Sequence, residues 1–232
     1  MEYKFLILLF LAFVTSCSKS EDEKVTPASE VYTPTTGNYM DAFIMPESIT
    51  LDFLEADANH PARIRTVIER DSKNGDTLLF ACTSKGVHFN KYKWYAHYYG
   101  DTTYHSMHIM GCENSGCLTQ LKKISIVADH DFDENHPAGS LLNDLFEISY
   151  ARFYQYIQNG YKPYWLNAYA LDSIAELTTV KDVNLFSEYS ALIFKQQPAP
   201  GKYTFTVTLD FGEDPLSGEK VTVPPASIEI EF

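Results

Sequence analysis

Apolar and polar residues alternate along several short stretches of the chain, and a period of two marks strands buried on one face. Ser48 to Leu54 sets Ile49, Leu51 and Phe53 against Thr50 and Asp52. Lys202 to Phe211 alternates strictly, with Tyr203, Phe205, Val207, Leu209 and Phe211 sharing one parity, and Ser227 to Phe232 repeats the pattern at Ile228, Ile230 and Phe232. The turn signal Lys73-Asn74-Gly75-Asp76 precedes another strand over Thr77 to Cys82. Ala62 to Arg70 fits either a strand or a short helix. Tyr92 to Tyr99 and Thr103 to Met110 are expected as strands paired around Gly100-Asp101. Ile124, Ile126 and Ala128 alternate in the next run, which breaks into the polar loop Asp129 to Pro137.

The period changes between Leu141 and Leu177. Tyr150, Phe153, Tyr154 and Ile157 have the spacing of a helical stripe, and Leu166, Tyr169, Ala170, Ile174 and Leu177 roughly repeat it. Asn159-Gly160 stops the first run and Lys162-Pro163 separates the two. The expected fold class is mainly β: an antiparallel β-sandwich over residues 39–232 with a short helical insertion around 141–177.

The amino terminus carries an address. Lys4 supplies a positive charge, and Phe5 to Val14 is a ten-residue apolar run. A bilayer span needs about 20 residues, so residues 1–16 are expected to be a secretion signal. The signal ends in Val14-Thr15-Ser16-Cys17, which resembles the lipobox of bacterial lipoproteins. That resemblance implies cleavage before Cys17 and acylation of its sulfur, an anchor of two or more chains that holds a protein stably on a bilayer. Residues 17–38 are polar and rich in Pro, Thr and Ser, and are expected to be a flexible tether.

Glu21-Asp22-Glu23, just after the lipidated cysteine, resembles the export signal of Bacteroidetes surface lipoproteins. It implies an outer-membrane location facing the cell exterior. Pro200-Gly201-Lys202-Tyr203 at the entry of a long strand resembles the penultimate strand of Ig-like sandwich domains. Together with Asp129 to Phe146, this end of the chain is similar to a group of uncharacterised Bacteroidetes lipoproteins, a resemblance covering about a third of the chain. It bears on address and fold, since the group has no assigned activity.

Composition adds exclusions. The 232 residues are 45% hydrophobic and 21% charged, which suits a folded domain. A net charge of −13 argues against nucleic acid and against an anionic membrane surface as partners. With Cys17 lipidated, Cys82, Cys112 and Cys117 remain. Cys112 and Cys117 bracket the turn-rich Glu113-Asn114-Ser115-Gly116 and are expected to form a disulfide, the alternatives being buried thiols or a bond to Cys82.

Candidate chemistry is sparse. Asp129, Asp131 and Asp133 place three carboxylates at alternate loop positions, a candidate site for a hard cation such as calcium, although the EF-hand template is not met. The competing reading is that they cap turns. His105, Met107, His108 and Met110 suggest a soft metal, but strand geometry sends His105 and His108 to opposite faces. Neither a Gly-x-Ser-x-Gly elbow, a His-Glu-x-x-His pair nor a phosphate loop occurs, and no cofactor is expected. Aromatic rings are dense over Tyr150 to Tyr169 and over Trp94, Tyr95, Tyr98 and Tyr99. Tyr161, Tyr164 and Trp165 lie at the Gly160–Pro163 break, outside the helical stripe, and are the candidate ligand contacts. The expectation is a non-catalytic surface lipoprotein that binds a ligand or partner, a glycan or another surface protein, or serves as an accessory envelope protein. The alternative is a secreted hydrolase.

Overall fold

The computed structural model describes residues 35–69, 78–80, 87–106, 114–162, 169–177 and 183–232. Its first strands are β1 (Thr35–Gly37), β2 (Ala42–Ile44), β3 (Ser48–Leu54), β4 (Arg63–Glu69) and β5 (Leu78–Phe80). Helix α1 (Val87–Tyr98) is followed by β6 (Tyr104–Ser106), β7 (Ser115–Cys117), β8 (Leu121–Ala128) and β9 (Phe146–Ala151). Helix α2 (Phe153–Gln158), β10 (Tyr169–Ser173) and the single-turn helix α3 (Ile174–Leu177) come next. Strands β11 (Tyr189–Phe194), β12 (Lys202–Phe211) and β13 (Ala226–Glu231) complete the chain.

The fold is mainly β, with several antiparallel sheets. A five-stranded sheet has the order β10-β9-β11-β4-β3, and a three-stranded sheet the order β13-β12-β8. Both feed one hydrophobic core. Ile64 and Ile68 of β4, Ile148 of β9 and Leu192 and Phe194 of β11 pack in the same cluster as Ile124 and Ile126 of β8 and Phe205, Val207 and Leu209 of β12. Burying each such side chain contributes about 1.5–3 kcal/mol, so this cluster dominates the stability. Phe194 meets Phe146 at 4.5 Å and Phe205 edge-on at 5.5 Å, joining the two sheets through aromatic contacts.

The strict alternation of β12 is realised: Tyr203, Phe205, Val207, Leu209 and Phe211 are all buried. Its hairpin partner begins at Ala226, one residue before the alternating run, with Phe205 opposite Ile228 and Tyr203 opposite Ile230. The ambiguous run after Ala62 is strand β4, because Ile64, Thr66 and Ile68 turn one parity into the core.

Two sequence expectations are corrected. Tyr92 to Tyr98 belong to helix α1, not to a strand. Tyr92, Tyr95, Ala96 and Tyr99 are buried at the i, i+3, i+4, i+7 spacing, and this stripe overrides the β preference of its aromatic residues. Accordingly Tyr104–Ser106 pairs with β1 and not with residues 92–99. In the expected helical insertion, Tyr150 lies in β9 and Tyr169–Ser173 forms β10, which pairs antiparallel with β9. Among the described residues of this stretch, α-helix covers Phe153–Gln158 and Ile174–Leu177, and Asn143–Leu145 forms a 3-10 turn.

A second core cluster lies beneath the helices. Tyr92, Tyr95 and Tyr99 of the α1 stripe pack there with Tyr39, Met40, Phe43 and Leu118, and with Phe153, Tyr156 and Ile157 of α2. A small sheet of order β5-β2-β7 runs past it, with β2 and β7 parallel. Gly116 of β7 makes this approach possible: a Cβ there would stand 3.2 Å from Leu185 O and 2.9 Å from Met40 Cε.

Candidate functional site

The candidate site grows from the outward face of α1. The inward face is pinned by three tyrosine hydroxyls. Tyr92 donates to Met40 O at 2.6 Å, Tyr95 to Asp214 Oδ1 at 2.6 Å and Tyr99 to Leu118 O at 2.7 Å. Burial pushes the Tyr95 and Tyr99 hydroxyls well above the usual phenol range, with the Asp214 carboxylate adding to the shift at Tyr95, so both remain donors. The helix ends at Gly100, whose φ of +77° an L side chain would resist. There the Gly100 N–H donates to His97 O and the Asp101 N–H to Ala96 O.

On the opposite face, Trp94 and Tyr98 sit one turn apart and stack, with ring centroids 5.2 Å apart and planes 11° from parallel. Trp94 is 37% exposed and Tyr98 53%. Tyr99 meets the Tyr98 ring edge-on at 4.9 Å, and Tyr95 meets Trp94 the same way at 5.1 Å. Tyr98 is therefore an exposed ring held by two aromatic neighbours.

Tyr98 and Tyr99 line a cleft of about 670 Å³ together with Gln120, Lys122, Asp210, Glu213, Asp214 and Lys220. A hairpin after β12 contributes Gly212 to Pro215, Gly218 and Lys220 to the lining, with Glu213 bridged to Lys220. Asp214 organises its turn. Oδ1 accepts from Leu216 N at 2.9 Å as well as from Tyr95, and Oδ2 accepts from the Ser217 hydroxyl at 2.8 Å. One carboxylate thus ties the hairpin to α1. The cleft offers an aromatic face, acceptor carboxylates and donor ammoniums, the inventory of a site that recognises a polar ligand with an apolar face.

The other sequence candidates lie elsewhere. Asp129 Oδ1 accepts from Thr204 N at 2.7 Å and from His130 Nδ1 at 2.8 Å, and the His130 contact leads in holding this carboxyl below its usual range. Asp131 Oδ1 accepts from Ala138 N at 2.7 Å. Asp133 Oδ1 accepts from the backbone of Asn135 and His136 and from His136 Nδ1, while Oδ2 accepts from Gln196. Each carboxylate has its own partners, Asp131 and Asp133 within the loop and Asp129 and Asp133 also outside it, at Thr204 and Gln196. Among the described residues, no three His, Cys, Asp or Glu side chains assemble into a group able to hold a metal. Asp129, His130, Asp131, Lys202 and Tyr203 line a second cleft of about 530 Å³.

Tyr161 is half-buried, its ring packed edge-on against Tyr156 at 5.7 Å and its hydroxyl donated to Asp101 Oδ1 at 3.0 Å. Burial raises that hydroxyl to about 12. Tyr164, Trp165, Cys17, Cys82 and Cys112 lie outside the described residues, as do Met107, His108 and Met110. Cys117 is a fully buried free thiol. Sequence reasoning missed the Trp94–Tyr98 platform as a site, although the spacing of four residues signals it once the segment is a helix. It also missed Asp210, Glu213 and Lys220, which nothing short of the folded hairpin distinguishes from other surface charges.

No family model, no curated protein and no solved structure matches the chain. Among the described residues, no helix is long and apolar enough to cross a membrane.

Proposed function

We propose that this chain is a lipid-anchored, surface-exposed binding protein that takes a glycan in the cleft beside Tyr98 and performs no chemistry on it. The carrying observation is the Tyr98 ring, exposed at the cleft, stacked on Trp94 and faced by a polar hairpin. The Val14–Cys17 lipobox and the acidic Glu21–Glu23 run support an acylated Cys17 on the outer face of an outer membrane, with the glycan or a neighbouring surface protein as partner. In the fold, we read the two larger sheets as an Ig-like sandwich. The shared core and the approach of β13 to β3 support that reading.

A Cys17→Ala variant should leave the membrane fraction, and an antibody added to intact cells should bind the wild type. Purified full chain should retard in gels containing a bound polysaccharide without releasing reducing ends from it. Release of reducing ends would replace this reading with the hydrolase, for which Asp210 and Glu213 line the same cleft. Membrane retention of Cys17→Ala would remove the lipid anchor from the proposal.

A further inference from the structure

The chemical class of the ligand follows from the charges around the cleft. Asp214 is committed inward, its two oxygens taken by Tyr95, Leu216 and Ser217. The remaining charged groups are two carboxylates, Asp210 and Glu213, and two ammoniums, Lys122 and Lys220. Glu213 and Lys220 stand at one bridge of the hairpin, so opposite signs are adjacent. The Lys122 ammonium also donates to Gln120 Oε1 at 2.6 Å. An anionic ligand would meet two carboxylates on a chain of net charge −13, and a cationic one would meet two ammoniums.

Carboxylates only accept hydrogen bonds and ammoniums only donate them, whereas a hydroxyl does both. A ligand suited to all four groups therefore carries many hydroxyls and no charge. Its apolar side must suit the Tyr98 ring, which is 53% exposed and lines the cleft, braced by Trp94 stacked on one of its faces and by Tyr99 in a T-shaped contact. That bracing, together with the Tyr95–Asp214 bond between α1 and the hairpin, fixes both walls before a ligand arrives and lowers the ordering cost of binding.

We propose that the cleft selects an uncharged saccharide, with the C–H face of one sugar ring on Tyr98 and its hydroxyls shared among Asp210, Glu213, Lys122 and Lys220. The inference rests on the binding reading above and adds the ligand class. Neutrality also sets the salt response, because screening weakens attraction between charges and leaves stacking and hydroxyl contacts nearly untouched.

The test uses the full chain purified in detergent, titrated with mixed-linkage β-glucan, galactomannan and amylopectin as neutral probes, polygalacturonate as the anionic probe and oligolysine as the cationic one. At least one neutral polysaccharide should bind, with a Kd that changes less than about twofold between about 50 and 500 mM NaCl. Tyr98→Ala should weaken it by about tenfold or more and Tyr98→Phe by no more than about threefold, with melting temperatures near the wild type. Salt-sensitive binding of polygalacturonate or oligolysine that Tyr98→Ala abolishes would overturn the saccharide class and leave the binding face standing. Failure of every probe to bind, or binding indifferent to both Tyr98→Ala and Trp94→Ala, would overturn the class and the binding reading together.

Discussion

Tyr161 donates its hydroxyl to Asp101 Oδ1 across 3.0 Å, and the two residues occupy equivalent positions in two helix terminations. Each is the third residue beyond its helix, directly after a glycine of positive φ, Gly160 for α2 and Gly100 for α1. In both, the N–H of this residue donates back to a carbonyl five residues earlier, Tyr156 O and Ala96 O. Gln158 Nε2 adds a bond to Tyr99 O at 3.0 Å, so the carboxyl ends of the two helices are joined twice. Asp101 is fully buried, and its carboxylate also accepts from Tyr39 N at 2.7 Å and Met40 N at 2.9 Å.

Asp101→Ala would strand two backbone N–H groups and a phenol, and should cost roughly 3 kcal/mol or more in urea unfolding. Tyr161→Phe removes one donor to that carboxylate and should cost about 1 kcal/mol. Burial raises the Asp101 pKa above its unfolded value, so the folded state holds this proton more tightly. The contribution of Asp101 therefore favours the fold at low pH and declines as pH rises through the raised folded pKa. Comparison of the unfolding midpoints of wild type and Asp101→Asn across the acid range should show that decline in the wild type alone.

Thr66 shows the opposite case, a buried polar group without a partner among the described residues. Its side chain points into the core between Ile64 and Ile68, it is 1% exposed, and its hydroxyl has no hydrogen-bond partner among them. Valine has nearly the same shape without the oxygen. Thr66→Val should stabilise the protein by about 1 kcal/mol in the same unfolding assay. An unchanged or lowered midpoint would show that the hydroxyl finds a partner in solution.

The strands were legible wherever burial is one-sided. β12 and β13 follow the period of two because one face meets the core and the other meets water. The helix α1 was not legible, because its exposed face carries Trp94 and Tyr98, which blur the polar half of the pattern. Exposed rings at the surface erased the periodicity that would have revealed the element holding them. Asp214 illustrates a second limit. Its partner Tyr95 is 119 residues away, and no local pattern reports such a contact.

His136 is placed between two carboxylates, with Nδ1 2.7 Å from Asp133 Oδ1 and Nε2 3.1 Å from Asp144 Oδ2. The Asp133 bond, followed by that of Asp144, raises the imidazole pKa, while the imidazole bond leads in lowering the Asp133 carboxyl. For the histidine the folded pKa lies above the unfolded one. Its contribution is complete below the unfolded value and is lost as pH rises through the raised folded value. For Asp133 the contribution holds above its unfolded pKa and is lost as pH falls through the lowered one. NMR titration should place the His136 midpoint above that of a free histidine, and Asp133→Asn should return it most of the way. A midpoint indifferent to Asp133→Asn would break the assignment.

Cys117 ends β7 in a fully buried position, its backbone paired beside Ile44 and its N–H donated to Phe186 O at 2.8 Å. Burial, reinforced by Glu188, pushes the thiol well above its usual pKa, so almost no thiolate exists at neutral pH. Alkylation needs both access and thiolate, and the native fold withholds both. Iodoacetamide should therefore leave Cys117 unlabelled in the native protein and label it once urea unfolds the chain, without added reductant, as peptide mapping would show. A bond to Cys112 gives a different result: native protection persists through urea, and labelling appears only after reduction. The substitutions separate packing from bonding. In the free-thiol state, Cys117→Ala keeps the site apolar, whereas Cys117→Ser buries a hydroxyl among apolar neighbours at a further cost of about 1–3 kcal/mol. Were the disulfide present, both variants would lose the cross-link equally, and that common loss would dominate the difference between them.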